Sequence, residues 1–265
     1  MQQATDFLEE SEVLLALVKD LADQDFERAT LFKQWTINDV FVHLHFWNLG
    51  ADMALNEPDR FTMMFEELHG ALKAGKLRDY ENTKIEVRGK ELISIWENLF
   101  RDMGDRWLKV DPKTRVKWAG PDMSVRTSIS ARQMEVWAHG QAIFDLMGCD
   151  RPEADRIKNI VMLGVNAFGW SHKVHGMEIP DKMPALELVA PSGEVWKFGE
   201  DNGCISGSAS EFCQVVTQTR NIADTSLAVS GTVAGTWMAN AQCFAGPPET
   251  PPAPGTRFKS RGLHH

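Results

Sequence analysis

Glu135 and His139 stand four positions apart. In a helix that spacing puts both side chains on one face, a turn from each other. A carboxylate and a neutral imidazole offered side by side are two of the three protein donors that a catalytic divalent-metal site uses, with the other positions left to water and substrate. His43 is the expected third donor. It lies four residues after Asp39 and four before Trp47, so these three share a face of another helix. Two antiparallel helices of a bundle can bring such faces together in the interior. Asp39 is then the expected carboxylate behind His43. Plainer readings stand beside this one on spacing alone. An acid in the first turns of a helix is favoured by the macrodipole. His43 can be a core histidine, or His45 the inward one, because residues two apart point in nearly opposite directions. A second pair, His172 and His175, falls in an expected loop between Gly169 and Gly176 and reads as exposed linker histidines.

The elements that must position these residues are helices. From Asp6 to about Asp25 the apolar residues Phe7, Leu8, Val13, Leu14, Leu17, Val18 and Leu21 recur at helical spacing. Thr36-Ile37-Asn38-Asp39 has the form of a capping box, opening a helix that carries Val40, Leu44, Trp47, Ala51 and Leu55 and stops at Pro58. Further helices are expected over Phe61 to Ala74 and from Lys90 to about Val110, the latter with Leu92, Ile95, Trp96, Leu99, Met103 and Trp107 on one stripe. Ser130 is the expected cap of a helix running to Gly148, and Pro152 the start of another through Val165. The pattern changes after Gly169. Residues 186–198 alternate in two short strands about a Pro-Ser-Gly turn, Ser208 opens a helix, 224–229 is extended, and Thr232 to Phe244 is a last helix. The expected fold is therefore α+β. A mainly α four-helix bundle over 1–169 precedes a small α+β domain over 170–246, and an extended or disordered Pro-rich tail follows over 247–265.

Composition narrows the function. The 265 residues are 43% hydrophobic and 25% charged, as in a globular protein with a real core. A net charge of -9 with a basic run only at Arg257, Lys259 and Arg261 argues against nucleic acid as a partner. No stretch of about 18 apolar residues offers a membrane span, and the start MQQATDFLEESEVL lacks a signal peptide's pattern. The four cysteines are scattered, with no C-x-x-C pair, which suits reduced thiols and a cytoplasmic protein. Phosphate-loop, dinucleotide and nucleophile-elbow motifs are missing. His264 and His265 end the sequence, and are set aside as ligands because they can equally be a cloning remnant.

Trp35-Thr36-Ile37-Asn38-Asp39-Val40-x-x-His43-Leu44 resembles the W-[ST]-x-x-D-x-x-x-H-L signature of DinB-like metal-binding bundles, in particular their mycothiol-dependent maleylpyruvate isomerase branch. Glu135-x-x-x-His139 matches the place where that branch supplies its other two ligands. Leu186-Glu-Leu-x-Ala-Pro-x-Gly, Ala223-Asp224-Thr225 and Phe244-Ala-Gly-Pro-Pro resemble uncharacterised relatives in which a small sterol-carrier-like domain follows the bundle. The resemblance implies one divalent ion on His43, Glu135 and His139, zinc first, with nickel or iron(II) as alternatives. It also implies a low-molecular-weight thiol used at that ion, and a C-terminal arginine that binds the acidic substrate or thiol. Arg220 is the local match for that catalytic role. The expected partners are a small-molecule substrate and a thiol, with a homodimer left open. The implied activity is thiol-dependent isomerisation or S-transfer on a small electrophile. The alternatives are a non-enzymatic carrier of an apolar ligand with a structural metal, and a hydrolase working through metal and water.

Overall fold

The computed structural model describes residues 1–118, 120 and 122–260. The chain divides into two compact units, Met1–Ile143 and Phe144–His265. In the first, α5 (Gly89–Trp107) packs along both α1 (Gln2–Val18) and α2 (Ile37–Asn56), with α3 (Pro58–Lys73) and α4 (Leu77–Lys84) against α2. A short antiparallel ribbon of β1 (Arg115–Val116) and β2 (Met123–Ser124) leads into α6 (Val125–Met147). No helix among the described residues is long and apolar enough to cross a membrane.

The core follows from the aromatic stripe of α5. Leu92, Trp96, Phe100, Met103 and Trp107 are all fully buried. Trp96 meets Phe41 of α2 edge-on at 4.9 Å, and Phe100 meets Phe7 of α1 at 6.5 Å. Each such ring contributes about 1.5–3 kcal/mol by leaving water. The stripe runs through Ile93 and Phe100, and leaves the expected Ile95 and Leu99 only partly covered. The helix α2 is covered on nearly every side, so His43, His45, Asn38 and Asn48 are all buried with its apolar residues. Its N-terminus is the expected capping box: Asp39 N–H donates to Thr36 Oγ1 at 3.0 Å and Thr36 N–H to Asp39 Oδ2 at 2.9 Å. Pro58, expected to stop α2, is the first residue of α3, where a missing N–H costs nothing.

Two expectations fail at helix starts. The helix α6 begins at Val125 rather than after Ser130. Ser124 Oγ accepts Thr127 N–H at 3.2 Å, which caps the end, while Ser128 and Ser130 are buried within the helix. Pro152 starts no helix; α7 (Lys158–Asn166) begins after a 3-10 turn at Asp155–Ile157.

In the second unit, α7 packs on α8 (Phe168–Val174) and on α9 (Ala209–Val216), and α8 packs on α10 (Thr232–Asn240). Both α7 and α8 belong to the second of the two units. The sheet orders β4 (Val195–Phe198), β3 (Pro184–Val189), β5 (Glu200–Ser208) and β6 (Ala228–Ser230). The hairpin of β3 and β4 is in the expected place, with Leu186 opposite Phe198 and Val189 opposite Val195. The strand β5 follows one residue later, parallel to β3. Gly199 makes that reversal at φ +76, and a Cβ there would stand 2.0 Å from the Pro184 carbonyl oxygen. The Pro-rich tail is extended and held: Gln218 donates to the Glu249 carbonyl, and Arg257 to the Gln218 carbonyl. His264 and His265 lie outside the described residues.

Candidate metal centre

The structure brings His43, Glu135 and His139 together, with one donor atom of each within 4.8 Å of the others. Glu135 Oε2 stands 3.0 Å from His139 Nε2 and 3.6 Å from His43 Nε2. Two donors on one tetrahedral ion with bonds of about 2.0–2.1 Å lie roughly 3.3–3.4 Å apart, so these separations suit a single small cation. Because α6 starts early, Glu135 lies in its third turn, beyond the reach of the macrodipole that offered a plainer reason for an acid.

The tautomer of His43 is set from behind. Its Nδ1 donates to Glu81 Oε1 at 2.9 Å, and the same oxygen accepts Trp47 Nε1–H at 2.7 Å. With Nδ1 carrying the hydrogen, Nε2 presents its lone pair to the cluster. Glu81 is fully buried, and its other oxygen has no partner among the described residues. This role was expected of Asp39, and the structure corrects that expectation. Asp39 closes the capping box and accepts from Asn82 Nδ2 at 3.1 Å, one turn from His43 but bonded to the helix end. Glu81 belongs to α4, which lies between the helices expected over Phe61 to Ala74 and from Lys90. A signal was there: Leu77, Glu81 and Ile85 recur every four residues, an acid on an otherwise apolar stripe.

Aromatic rings wall the imidazoles. Trp35 lies flat on His139, ring centroids 5.6 Å apart and planes 3° from parallel, and Phe32 meets the same imidazole edge-on at 4.9 Å. Both rings come from the turn before α2, where Lys33 and Gln34 adopt left-handed backbone (φ 49 and 58). Non-glycine residues there carry local strain, which is characteristic of sites that fix side chains for function.

Electrostatics make this a place for positive charge. Burial opposes a charge on His43, yet Glu81 and Glu135 outweigh it and hold the pKa up at about 9. Burial also works against the charge on Glu135, but hydrogen bonds from His139 and His43 and the nearby Arg132 keep it well below the usual range. His139 is shifted down, first by burial and then by the charge on His43. In a metal-free cluster one proton, on His43, therefore occupies the place of a cation.

The other expected residues fall elsewhere. His45 is buried with its Nδ1 unpartnered among the described residues, and burial lowers its pKa to about 4. His172 and His175 are not exposed linker residues. His172 lies in α8, buried, with Nδ1 donating to the Phe168 carbonyl at 2.8 Å, and His175 directly follows that helix, partly covered. Arg220, in the second unit, pairs with Asp145 Oδ1 at 2.6 Å and donates to the Thr219 carbonyl. Arg132, not among the residues expected at the site, is buried beside Glu135.

The α+β fold and this donor set define a helix-bundle protein with a histidine–glutamate–histidine cluster in its first unit. The chain belongs to the mycothiol maleylpyruvate isomerase N-terminal domain family, which matches it over residues 7–144. Two relatives from Mycobacterium tuberculosis, the uncharacterized proteins MT0041 (strain CDC 1551 / Oshkosh) and Rv0036c (strain ATCC 25618 / H37Rv), are each 31% identical over 245 residues, 92% of this chain and 95% of theirs. Among solved structures, the mycothiol-dependent maleylpyruvate isomerase is similar with a TM-score of 0.51 at 15% identity, over 81% of this chain and 87% of that one. A mutant of that enzyme gives 0.52 at 16% over the same shares. At such identities the likeness establishes the fold.

Proposed function

We propose that this protein is a metal-dependent enzyme that takes a low-molecular-weight thiol, mycothiol or a close analogue, for isomerisation or S-transfer on a small electrophilic substrate. The observation that carries the proposal is the convergence of His43, Glu135 and His139, with His43 oriented from behind by Glu81. The family supports the thiol. A divalent ion held there, zinc first and nickel or iron(II) next, would lower the pKa of a bound thiol and keep the thiolate beside its electrophile. The protein's own part is orientation and exclusion. Glu81 fixes the ring of His43, Trp35 and Phe32 cover His139, and Glu135 presents one oxygen to both imidazoles. No cysteine joins the cluster among the described residues, so the thiol is a cofactor rather than a side chain.

Elemental analysis of the purified protein, followed by turnover assays of a small electrophile such as maleylpyruvate with mycothiol, glutathione or bacillithiol, tests the reading. His43→Ala should lose most of the bound metal and the thiol-dependent activity, while His45→Ala should keep both. Full metal occupancy in His43→Ala would falsify the site. Turnover that proceeds equally well without added thiol would replace the thiol chemistry with hydrolysis.

A further inference from the structure

Arg132 precedes Glu135 by one turn of α6, and its guanidinium is not accounted for by the fold. The side chain retains 4% of its exposure, against 19% for Glu135, 12% for His139 and 10% for His43. Its one charged neighbour among the described residues is Glu135 Oε1, at 3.8 Å from Nη2, longer than a hydrogen bond. Nε and Nη1 have no hydrogen-bond partner among the described residues. One face of the group rests on the Trp118 ring at 5.0 Å, which leaves the donors in its plane unused. A guanidinium has five N–H donors in a rigid fork, and burying them unpaired is costly. Burial accordingly pushes the arginine's pKa down, and Glu135 only partly opposes it.

Position adds to this. Glu135 divides its oxygens, Oε2 toward the two imidazoles and Oε1 toward Arg132. The carboxylates of Glu81 and Glu135 would together balance a divalent ion, so Arg132 would leave the loaded site with one net positive charge and two separate cationic centres. A fork of unused donors one carboxylate away from a metal is complementary to a planar oxyanion. We propose that Arg132 is the anion-recognition residue of this site, binding a carboxylate carried by the thiol or by the electrophile while the sulfur occupies the metal. The assignment deepens the metal-and-thiol reading and rests on it for the second point of attachment.

The test uses cobalt(II)-loaded protein, in which a bound thiolate gives a charge-transfer absorption band. Titration with 3-mercaptopropionate and with 3-mercaptopropionamide measures the preference for the acid over its uncharged twin. Comparing that preference between wild type and Arg132→Gln cancels the thiols' own acidities. Loss of one charge-assisted hydrogen-bonded pair should lower the preference by roughly tenfold to a hundredfold in the variant. An unchanged preference overturns the proposal. If neither thiol gives a band on loaded wild-type protein, the thiol reading fails, and calorimetric titration of the zinc-loaded protein with succinate judges the arginine by itself. Tighter succinate binding by wild type than by Arg132→Gln keeps the anion site and assigns it to the electrophile; equal binding removes it. Should circular dichroism show Arg132→Gln unfolded, Arg132→Lys replaces it, keeping charge and losing the fork. A severalfold drop there supports the assignment, and an undiminished preference overturns it.

Discussion

One oxygen of Glu81 receives both an imidazole and an indole hydrogen, and that arrangement governs how the cluster exchanges a proton for a metal. The His43 pKa near 9 means that a proton must leave before an ion can bind. Metal affinity should therefore rise about tenfold per pH unit from near neutrality up to about 9 and then level off, as competition with a chelator corrected for its own protonation would show. Glu81→Gln keeps the shape and an acceptor but removes the charge. At pH above 9 it should weaken binding by about ten- to a hundredfold. The loss should shrink at pH 7, because the same charge also holds the competing proton, and the rise should level off at lower pH than in wild type. An affinity that falls by the same factor at every pH would separate Glu81 from the His43 proton. Spacing put Glu135 and His139 on one helix face but left His43 and His45 both open, and it was the resemblance of Trp35 to Leu44 to a metal-binding signature that singled out His43. Glu81 was not legible, because it reaches His43 across 38 positions of chain that no local periodicity joins. Arg132 was equally silent: one turn before Glu135, it reads as any charged residue until its burial is seen.

At the scale of elements, the cap of α2 and the short α4 divide the work that sequence spacing assigned to Asp39 alone. Burial tends to raise the Asp39 pKa, but hydrogen bonds from Thr36 and Asn82 and the charge of Arg78 hold it below the ordinary value. Asp39→Asn should cost about 1 kcal/mol in urea unfolding, the usual worth of a helix cap, while metal affinity stays at the wild-type level. A large loss of metal with no loss of stability would return Asp39 to the role first expected of it. Long helices with apolar stripes, α1, α2 and α5, were legible from periodicity. The α4 segment was not, since its sequence LRDYENTK is polar and its few apolar residues pack as a fringe on Phe46, Trp47 and Leu68. Strand β5 also escaped, because Glu200, Asp201, Asn202, Gly203 and Gly207 are poor strand formers held in place by β3 on one side and β6 on the other. The cap of α6 was misplaced because Ser124 and Ser130 are equally good candidates by residue type.

Across the whole molecule, the core is built from aromatic and aliphatic side chains of which only a few, Trp35 and Trp47 among them, touch the cluster, so an ion held there would contribute little to holding the bundle. Chelation at pH 7 should leave helical circular dichroism nearly unchanged. The metal-free protein should nevertheless depend on pH in a way the loaded one does not. A folded pKa of about 9 lies above the ordinary 6.5, so the stability that His43 contributes is complete below pH 6.5 and is lost as pH rises through 9. The urea midpoint of chelated protein should therefore fall between pH 7 and pH 9.5, and the midpoint of loaded protein should fall less. Cooperative unfolding on adding chelator at pH 7 would instead make the ion part of the scaffold. The flat stack of Trp35 on His139 has an optical consequence. An indole in face contact with an imidazole loses emission when that ring takes up charge or a paramagnetic ion. Among nine tryptophans, Trp35 is thus a native fluorophore for the state of the cluster, readable without label and identifiable by its disappearance in Trp35→Phe.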